Sequence, residues 1–458
     1  MTAYDLVVRG GLAVTAAGTT RADIGIQGGR IAQIGGEMTG TREIDAVEHL
    51  VLPGAIDPHV HLTDPGDDGG ELWVDDFASG TAAALAGGIT TVGNMTFLRA
   101  DELPLDALAR EGELAGELAA SDVILHPVLV DPRPVVRDQI PLLRERGHNS
   151  IKFFMSMPAF DQQVLAYLEA TARAGEAGMI TMIHCEDLAI IEWSTQRLLA
   201  AERRSIRHYP ESRPVISEVV ATERAVAFAA ATGAPVYVVH LSSSAALDVC
   251  RRAQSRGLPV YVETRPLYLH LTRERFEEAD GGKYVGQPPL RDPADVADLW
   301  VGLQQGALHV VGSDHAPWKL ADKTDPAHGV DDVRPGVENL ETQLAMLYSE
   351  GVRTGRLSLE RLVEVTSTNA AKLFGLYPRK GTIAVGSDAD LVILDPRLTR
   401  TVGAPRHSRA DYSVYAGWSV TGWPVLTVRR GQVVYEDGQV LARPGSGEMP
   451  ERGASRLL

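Results

Sequence analysis

The chain has 458 residues, of which 44% are hydrophobic and 23% charged, as in a soluble globular protein with a large core. Its 44 basic and 60 acidic residues give a formal net charge of -16, which argues against nucleic acid or an anionic membrane surface as a partner. Two cysteines, Cys185 and Cys250, do not make a disulfide framework, and no apolar run is long enough to span a bilayer. Because signal-peptide features are also missing at the N-terminus, we expect a cytoplasmic protein.

Short apolar strands separated by glycine pairs are predicted at both ends of the chain. They cover residues 5–9, 23–27 and 30–34, and then residues 390–394, 425–429 and 432–435. Since the two patterns match, we predict that residues 1–52 and 377–442 pair into one small β-sandwich domain. Residues 443–458 are expected to form a loose tail.

The middle of the chain, residues 53–376, alternates strand and helix patterns. Helices are predicted at residues 75–86, 162–174, 218–231 and 244–254. The apolar strands are predicted to end at Ile56, Val92, Val130, Phe154, Ile183, Val239, Val262 and Val311. Eight strands alternating with helices indicate an α/β protein with a parallel (β/α)8 TIM-like barrel. An open doubly wound sheet remains an alternative, although no Gly-rich phosphate motif follows the first strand.

Residues that can bind a metal follow several of the predicted barrel strands. Residues two apart in an extended segment point to the same side, so His59 and His61 can project into one site. Active sites of such barrels are assembled from several strand ends at the carboxyl face. Ordinary hydrogen bonding would explain one histidine there, but a larger set favours a divalent transition metal. The set comprises His59, His61, His184, His240 and Asp314.

Lys152 lies within the fourth predicted strand, between apolar neighbours. A buried ammonium is unfavourable and cannot bind a metal. One interpretation is a lysine whose stem packs while its head reaches water. The other is reaction with carbon dioxide to a carbamate, an anion able to bridge two metals.

An ordered set of motifs resembles that of a known family. It comprises Asp57-Pro58-His59-Val60-His61, Gly87-Gly88-Ile89-Thr90-Thr91, Lys152, His184, His240, Pro288-Pro289-Leu290-Arg291 and Gly312-Ser313-Asp314-His315. These motifs are similar to those of the cyclic amidohydrolases, the group that contains dihydropyrimidinase (hydantoinase), allantoinase and dihydroorotase. The resemblance implies that His59, His61 and Asp314 hold one zinc ion, that His184 and His240 hold another, and that carbamylated Lys152 bridges the two. It also implies a homo-oligomer, either a dimer or a tetramer.

The expected reaction is hydrolysis of a ring C–N bond by a metal-bridging hydroxide, because a bound cation lowers the pKa of water. Asp314 would take the proton of the hydroxide and pass it to the departing ring nitrogen. Glu263 and His315 are expected to orient ligand side chains, with ordinary loop hydrogen bonding as the alternative.

The candidate substrate-binding residues depart from the patterns of the resembled enzymes. Dihydroorotases have an arginine and an asparagine where this chain has Thr63 and Phe97, and dihydropyrimidinases have a tyrosine near Met157. Their substrate-contacting serine and asparagine correspond here to Gln287 and Pro335. We therefore expect a neutral hydantoin- or dihydropyrimidine-like ring held against an apolar wall.

Arg265, at the end of the seventh predicted strand, is the alternative that favours a carboxylate-bearing substrate; its other interpretation is a structural ion pair. A dihydroorotase-like or allantoinase-like enzyme therefore remains open. A non-catalytic scaffold relative is disfavoured by the complete ligand set. A mononuclear deaminase is disfavoured by Lys152.

Overall fold

Three sheets build the protein, and the computed structural model describes residues 3–62 and 73–458. The strands are β1 (Ala3–Arg9), β2 (Leu12–Thr15), β3 (Gly18–Arg21), β4 (Ile24–Gln27), β5 (Arg30–Ile34), β6 (Thr39–Asp45), β7 (Leu50–Pro53), β8 (Ala55–Val60), β9 (Ile89–Phe97), β10 (Asp122–Val128), β11 (Ser150–Phe154), β12 (Ile180–His184), β13 (Val236–Val238), β14 (Val260–Thr264), β15 (Val310–Val311), β16 (Leu391–Thr401), β17 (Ser419–Arg429), β18 (Gln432–Glu436) and β19 (Gln439–Val440).

Strands β8 to β15 form one parallel sheet in chain order. Val60 forms a parallel bridge with His315, and the His61 amide donates to the His315 carbonyl at 2.8 Å. The first strand is thereby joined to the segment after the last one. The predicted (β/α)8 barrel is confirmed.

Helices connect the barrel strands and cover the outer face of the sheet. They are α1 (Phe77–Ala86), α2 (Pro104–Leu118), α3 (Pro134–Asp138), α4 (Ile140–Glu145), α5 (Pro158–Gln162), α6 (Val164–Glu176), α7 (Leu188–Ala200), α8 (Tyr209–Ser212), α9 (Val215–Thr232), α10 (Ser244–Ser255), α11 (Pro266–His270), α12 (Pro293–Gln305), α13 (Leu320–Lys323), α14 (Gln343–Leu347), α15 (Leu359–Val363) and α16 (Asn369–Leu373). No helix in the described ranges has the length and apolar character needed to cross a membrane.

The apolar run at residues 51–56, predicted as one strand, is divided between two sheets. Leu50–Pro53 forms β7, which pairs with β16, whereas Ala55–Val60 forms β8 of the barrel. Gly54 lies between them, where a Cβ would stand 2.2 Å from Thr90 Oγ1. Both strands are buried throughout, so apolarity alone does not reveal the break.

Two barrel strands continue beyond their predicted ends at Ile56 and Val92. The polar residues that follow are hydrogen-bonded inside the barrel: Asp57 accepts the Ser313 amide at 3.1 Å, and Asn94 Oδ1 accepts the Leu62 amide at 2.8 Å. A buried strand tolerates polar residues that have such partners.

The small domain consists of two packed sheets, whose strands come from residues 3–53 and 391–440. One sheet has the order β5-β4-β1-β6, and the other has the order β19-β18-β17-β16-β7-β2-β3. Leu6, Ile24 and Ile26 of the first sheet share a core with Leu391 and Val428 of the second. The predicted sandwich built from the two chain ends is confirmed.

Residues after Arg443 form no helix and only irregular backbone, yet they are held in place. The Arg452 guanidinium is buried and donates to Asn149 Oδ1 at 3.0 Å, Ser150 Oγ at 3.1 Å and the Leu125 carbonyl at 2.9 Å. Asn149 and Ser150 lie at the start of β11, so this segment covers the amino ends of barrel strands. Other contacts also hold the segment: the Ser446 carbonyl accepts from Arg429 Nη2 at 2.7 Å, and the Gly453 amide donates to the Gly375 carbonyl at 2.8 Å. The segment is therefore not the loose tail expected, because its partners are distant in the chain and its own composition does not reveal them.

Candidate metal centre

The ends of β8 and β15 bring three of the predicted ligands together. His59 Nε2 lies 3.2 Å from Asp314 Oδ1, and His61 Nε2 lies 3.1 Å from the same oxygen. Three potential ligand atoms, one from each residue, all lie within 4.8 Å of one another, and all three side chains are buried. Two imidazole nitrogens and a carboxylate oxygen form a donor set that suits zinc.

Glu263, on β14, fixes the orientation of this group. Its Oε1 accepts from His59 Nδ1 at 2.8 Å and from the His240 amide at 3.0 Å, while Oε2 accepts from the Tyr237 hydroxyl at 2.9 Å. With Nδ1 of His59 engaged, its Nε2 is left to face Asp314. A Cβ at Gly312 would lie 2.6 Å from Glu263 Oε2, so only glycine fits there.

His184 and His240 form the second pair of predicted ligands. His184 Nδ1 and His240 Nε2 are 2.9 Å apart, and His184 Nε2 donates to Glu186 Oε2 at 2.9 Å. Glu186 also pairs with Arg213 Nη1 at 2.8 Å. The carboxylate therefore fixes one nitrogen of His184 and directs the other toward His240, as a metal ligand requires.

The charge states of the imidazoles fit a metal site. Burial lowers the pKa of His61 to about 4 and lowers the pKa values of His184 and His240 as well. These rings are neutral near pH 7, the form that binds a metal. His59 and His240 rings stack with centroids 5.5 Å apart, which places the two pairs side by side.

Lys152 is completely buried on β11, and its Nζ has no hydrogen-bond partner among the described residues. Nζ lies 4.7 Å from the ring centroid of Phe154. Burial lowers the pKa of Lys152 to about 8, which favours the neutral amine that reacts with carbon dioxide.

Two of the strand-end residues adopt a left-handed backbone conformation. His240 has φ of 38° and Asp314 has φ of 49°, although neither is glycine. Such conformations are unfavourable for side-chain-bearing residues and concentrate at functional sites. Here they turn both side chains toward the carboxyl end of the barrel.

Arg265 is fully buried and lies against Asp314. Its Nη1 is 3.1 Å from Asp314 Oδ2, and its Nε donates to the Ser313 carbonyl at 3.2 Å. Burial alone would raise the pKa of Asp314, but Arg265 and then His59 hold it well below its usual range. The arginine thus occupies the structural ion pair, the second of its two predicted interpretations.

A cavity of about 290 Å³ opens onto the centre. Four of the predicted substrate residues line it, namely Phe97, Met157, Gln287 and Pro335, together with His61, His184, His240 and Asp314. Arg265 is not among its described lining residues, and its role toward a substrate stays a prediction. Thr63 lies outside the described residues.

Aromatic rings form one side of the cavity. Phe97 lies 6.0 Å from the ring of His61, 6.1 Å from Trp73 and 6.0 Å from Phe154. Arg213 also lines the cavity, but its charge is engaged by Glu186. The wall is therefore apolar and aromatic, with its one described arginine already paired.

His315 orients the centre through its main chain. Its carbonyl holds the His61 amide, while its Nε2 donates to Asp75 Oδ2 at 2.8 Å. The ring contacts Asp75, and its Nδ1 accepts the Asn339 amide at 3.4 Å, so its described contacts are those of the loop hydrogen bonding that was the alternative expectation.

Sequence reasoning missed several residues of the site. Glu186 lies two residues after His184, and Asp57 begins the histidine motif, so proximity to a predicted ligand was an available signal for both. Trp73 and Phe154 carried no such signal, because their contacts depend on the folded barrel.

Comparisons with known proteins agree with this geometry. The amidohydrolase family model matches residues 50–434. A D-hydantoinase of Ralstonia pickettii is 36% identical over 98% of this chain and 99% of its own length, and a D-phenylhydantoinase of Escherichia coli O1:K1 is 35% identical over 98% of both. A solved D-hydantoinase from Bacillus sp. AR9 superposes with a TM-score of 0.95 at 37% identity, covering 99% of this chain and 100% of that one. A solved L-hydantoinase from Arthrobacter aurescens superposes with a TM-score of 0.90 at 34% identity, covering 98% of this chain and 100% of that one. The chain belongs to the amidohydrolase family, as its motifs predicted.

Proposed function

We propose that this protein hydrolyses a ring C–N bond of a neutral cyclic amide of the hydantoin or dihydropyrimidine kind. The observation that carries the proposal is the cluster of His59, His61 and Asp314 next to His184 and His240, at a cavity that His61, His184, His240 and Asp314 line. The buried Lys152, whose Nζ has no hydrogen-bond partner among the described residues, supports it. The names of the relatives, D-hydantoinase, D-phenylhydantoinase and L-hydantoinase, support the substrate class.

The proposed cofactor is a pair of zinc ions. His59, His61 and Asp314 would hold one ion, and His184 and His240 would hold the other. Carbamylated Lys152 would bind both ions. When bound, such cations lower the pKa of water and polarise a carbonyl group. The fit of the donor set supports this assignment. Glu263 fixes Nδ1 of His59 and Glu186 fixes Nε2 of His184, so the second ring nitrogen of each is left to bind an ion.

Within this proposal, Asp314 is the proton carrier. Arg265 holds its Oδ2, so Oδ1 faces the two histidines and the cavity. A carboxylate kept ionised in this way accepts a proton from water and donates it to the departing ring nitrogen. The left-handed backbone at Asp314 contributes to this fixed orientation.

The cavity supports a neutral ring with an apolar substituent. Trp73, Phe97 and Phe154 offer a flat aromatic surface, and Met157 adds a flexible apolar contact. A substrate carboxylate would need an available cation, whereas Arg213 is paired with Glu186 and Arg265 with Asp314.

The test combines metal analysis of the purified protein with turnover of hydantoins, dihydrouracil, allantoin and dihydroorotate. We expect about two zinc ions per chain and the highest kcat/KM for a hydantoin or dihydrouracil. A protein that turns over dihydroorotate best contradicts the neutral-substrate assignment. A protein that binds zinc but hydrolyses none of the four contradicts the enzymatic one.

We also propose a homo-oligomer, either a dimer or a tetramer, as the motif resemblance implies. Size-exclusion chromatography with light scattering measures the mass of the protein in solution. A monomer at micromolar concentration contradicts this proposal.

A further inference from the structure

Lys323, at the end of α13, is a second buried lysine of the barrel, and only 4% of it is exposed. Its Nζ donates to three main-chain carbonyls: that of Val285 at 2.6 Å, Arg334 at 2.7 Å and Gly336 at 2.7 Å. Burial lowers the pKa of Lys323 well below its usual value, but the three carbonyl acceptors match the three N–H donors of an ammonium, one for each donor.

The three carbonyls belong to two segments that form walls of the cavity. Gln287 follows Val285 by two residues, and Pro335 lies between Arg334 and Gly336; Gln287, Pro335 and Gly336 all line the cavity. The Gly336 amide also donates to the Val285 carbonyl at 3.0 Å. Lys323 and this amide therefore meet at a single carbonyl oxygen and join the two walls there.

Close packing leaves these segments little alternative room. A Cβ on Gly282 would lie 2.1 Å from the Lys323 carbonyl, and one on Gly336 would lie 2.2 Å from the Ala316 carbonyl. The Trp318 indole donates to the Pro335 carbonyl at 2.8 Å, from a different side. Three consecutive carbonyls, from Arg334 to Gly336, are thus each held by a donor.

We propose that Lys323 is a positioning residue that fixes the spacing of the Gln287 and Pro335 walls and thereby the size of ring substituent that the cavity admits. An apolar side chain would avoid the unfavourable burial of an ammonium, but it could not direct three N–H groups at these carbonyls. The assignment of a substituent to the cavity rests on the proposed function, whereas the connection between the walls does not.

The test replaces Lys323 by methionine, which keeps most of the length of the side chain, lacking only its terminal atom, and removes its donors. We expect KM for hydantoin to rise about tenfold with kcat changed less than about threefold, because ground-state and transition-state contacts are lost together. The ratio of the kcat/KM values for hydantoin and 5-benzylhydantoin should move about tenfold closer to one. Lys323→Gln retains an uncharged N–H donor, so its KM and its substrate preference should lie between those of wild type and Lys323→Met. It replaces Lys323→Met in the test if that variant does not fold.

Lys380→Met is the matched control. Lys380 is also buried, but it pairs with Asp122 at 2.7 Å and Asp390 at 2.5 Å, at the amino end of β10. Lys380→Met should lower the free energy of unfolding without changing the substrate preference.

A second readout needs no substrate. Hydrogen exchange of peptides covering residues 284–288 and 334–338 should accelerate about tenfold or more in the Lys323 variants and not in Lys380→Met. Unchanged exchange and an unchanged preference in a folded Lys323 variant would overturn the proposal. If wild type hydrolyses no cyclic amide, the proposed function fails while the exchange result still decides the role of Lys323.

Discussion

Arg265 Nη1 lies 3.1 Å from Asp314 Oδ2 inside the barrel, where both residues are buried. The aspartate is the only acidic residue among the six proposed ligands, so its partner would control the group that we propose transfers the proton. Replacing Arg265 by methionine should lower kcat by about tenfold or more, because the carboxylate loses its fixed orientation.

Arg265→Met should also change the pH dependence of kcat/KM. Arg265 lowers the pKa of Asp314, so its removal raises that pKa, and the acidic limb of kcat/KM should move to higher pH. Arg291→Met is a suitable control, since that buried arginine faces Glu218 instead. A variant that loses only dihydroorotate turnover would instead assign Arg265 to a substrate carboxylate.

Glu263 should control metal affinity. Its Oε1 orients His59 and holds the His240 amide, so Glu263→Gln should weaken metal binding by about 10–100-fold, as is typical for such partners of ligands. Competition with a chelator measures the affinity. Glu218→Gln is the control, because Glu218 is a buried carboxylate that accepts from Ser242 and not from a proposed ligand. Equal affinities in the two variants would refute the role of Glu263.

Phe97 should determine the preference for aromatic substituents. Its ring lies between His61, Trp73 and Phe154, so Phe97→Ala removes the centre of the aromatic wall. We expect kcat/KM for 5-phenylhydantoin to fall about 10–200-fold relative to unsubstituted hydantoin, the range for apolar pocket contacts. Parallel losses for both substrates would place the substituent elsewhere.

Arg452 should contribute to stability and not to the reaction. Its guanidinium makes four hydrogen bonds at the amino end of the barrel, the fourth to His148 Nδ1 at 3.3 Å, each worth about 0.5–1.5 kcal/mol. Arg452→Met should therefore lower Tm by several degrees in a thermal melt, with KM unchanged. An unchanged Tm would show that the C-terminal segment is dispensable for the fold.

The barrel and the His59, His61 and Asp314 cluster were predictable because their patterns are encoded locally. Strand–helix alternation and histidines at strand ends can be recognised in short windows. The division of the run at residues 51–56 was not predictable, since the run is apolar on both sides of Gly54 and β7 and β8 are both buried throughout. The roles of Glu186, Arg265 and Arg452 depend on residues distant in the chain, and a single sequence does not give those pairings.

Lys152 provides the most direct test of the account. Lys152→Ala should bind clearly less than the wild-type amount of zinc and should lose most activity, and short carboxylic acids should restore part of both by supplying the missing bridge. Metal content by elemental analysis, measured beside hydantoin turnover with and without added acid, decides the matter. The account predicts joint loss and partial rescue; full metal content with undiminished turnover in Lys152→Ala would contradict it.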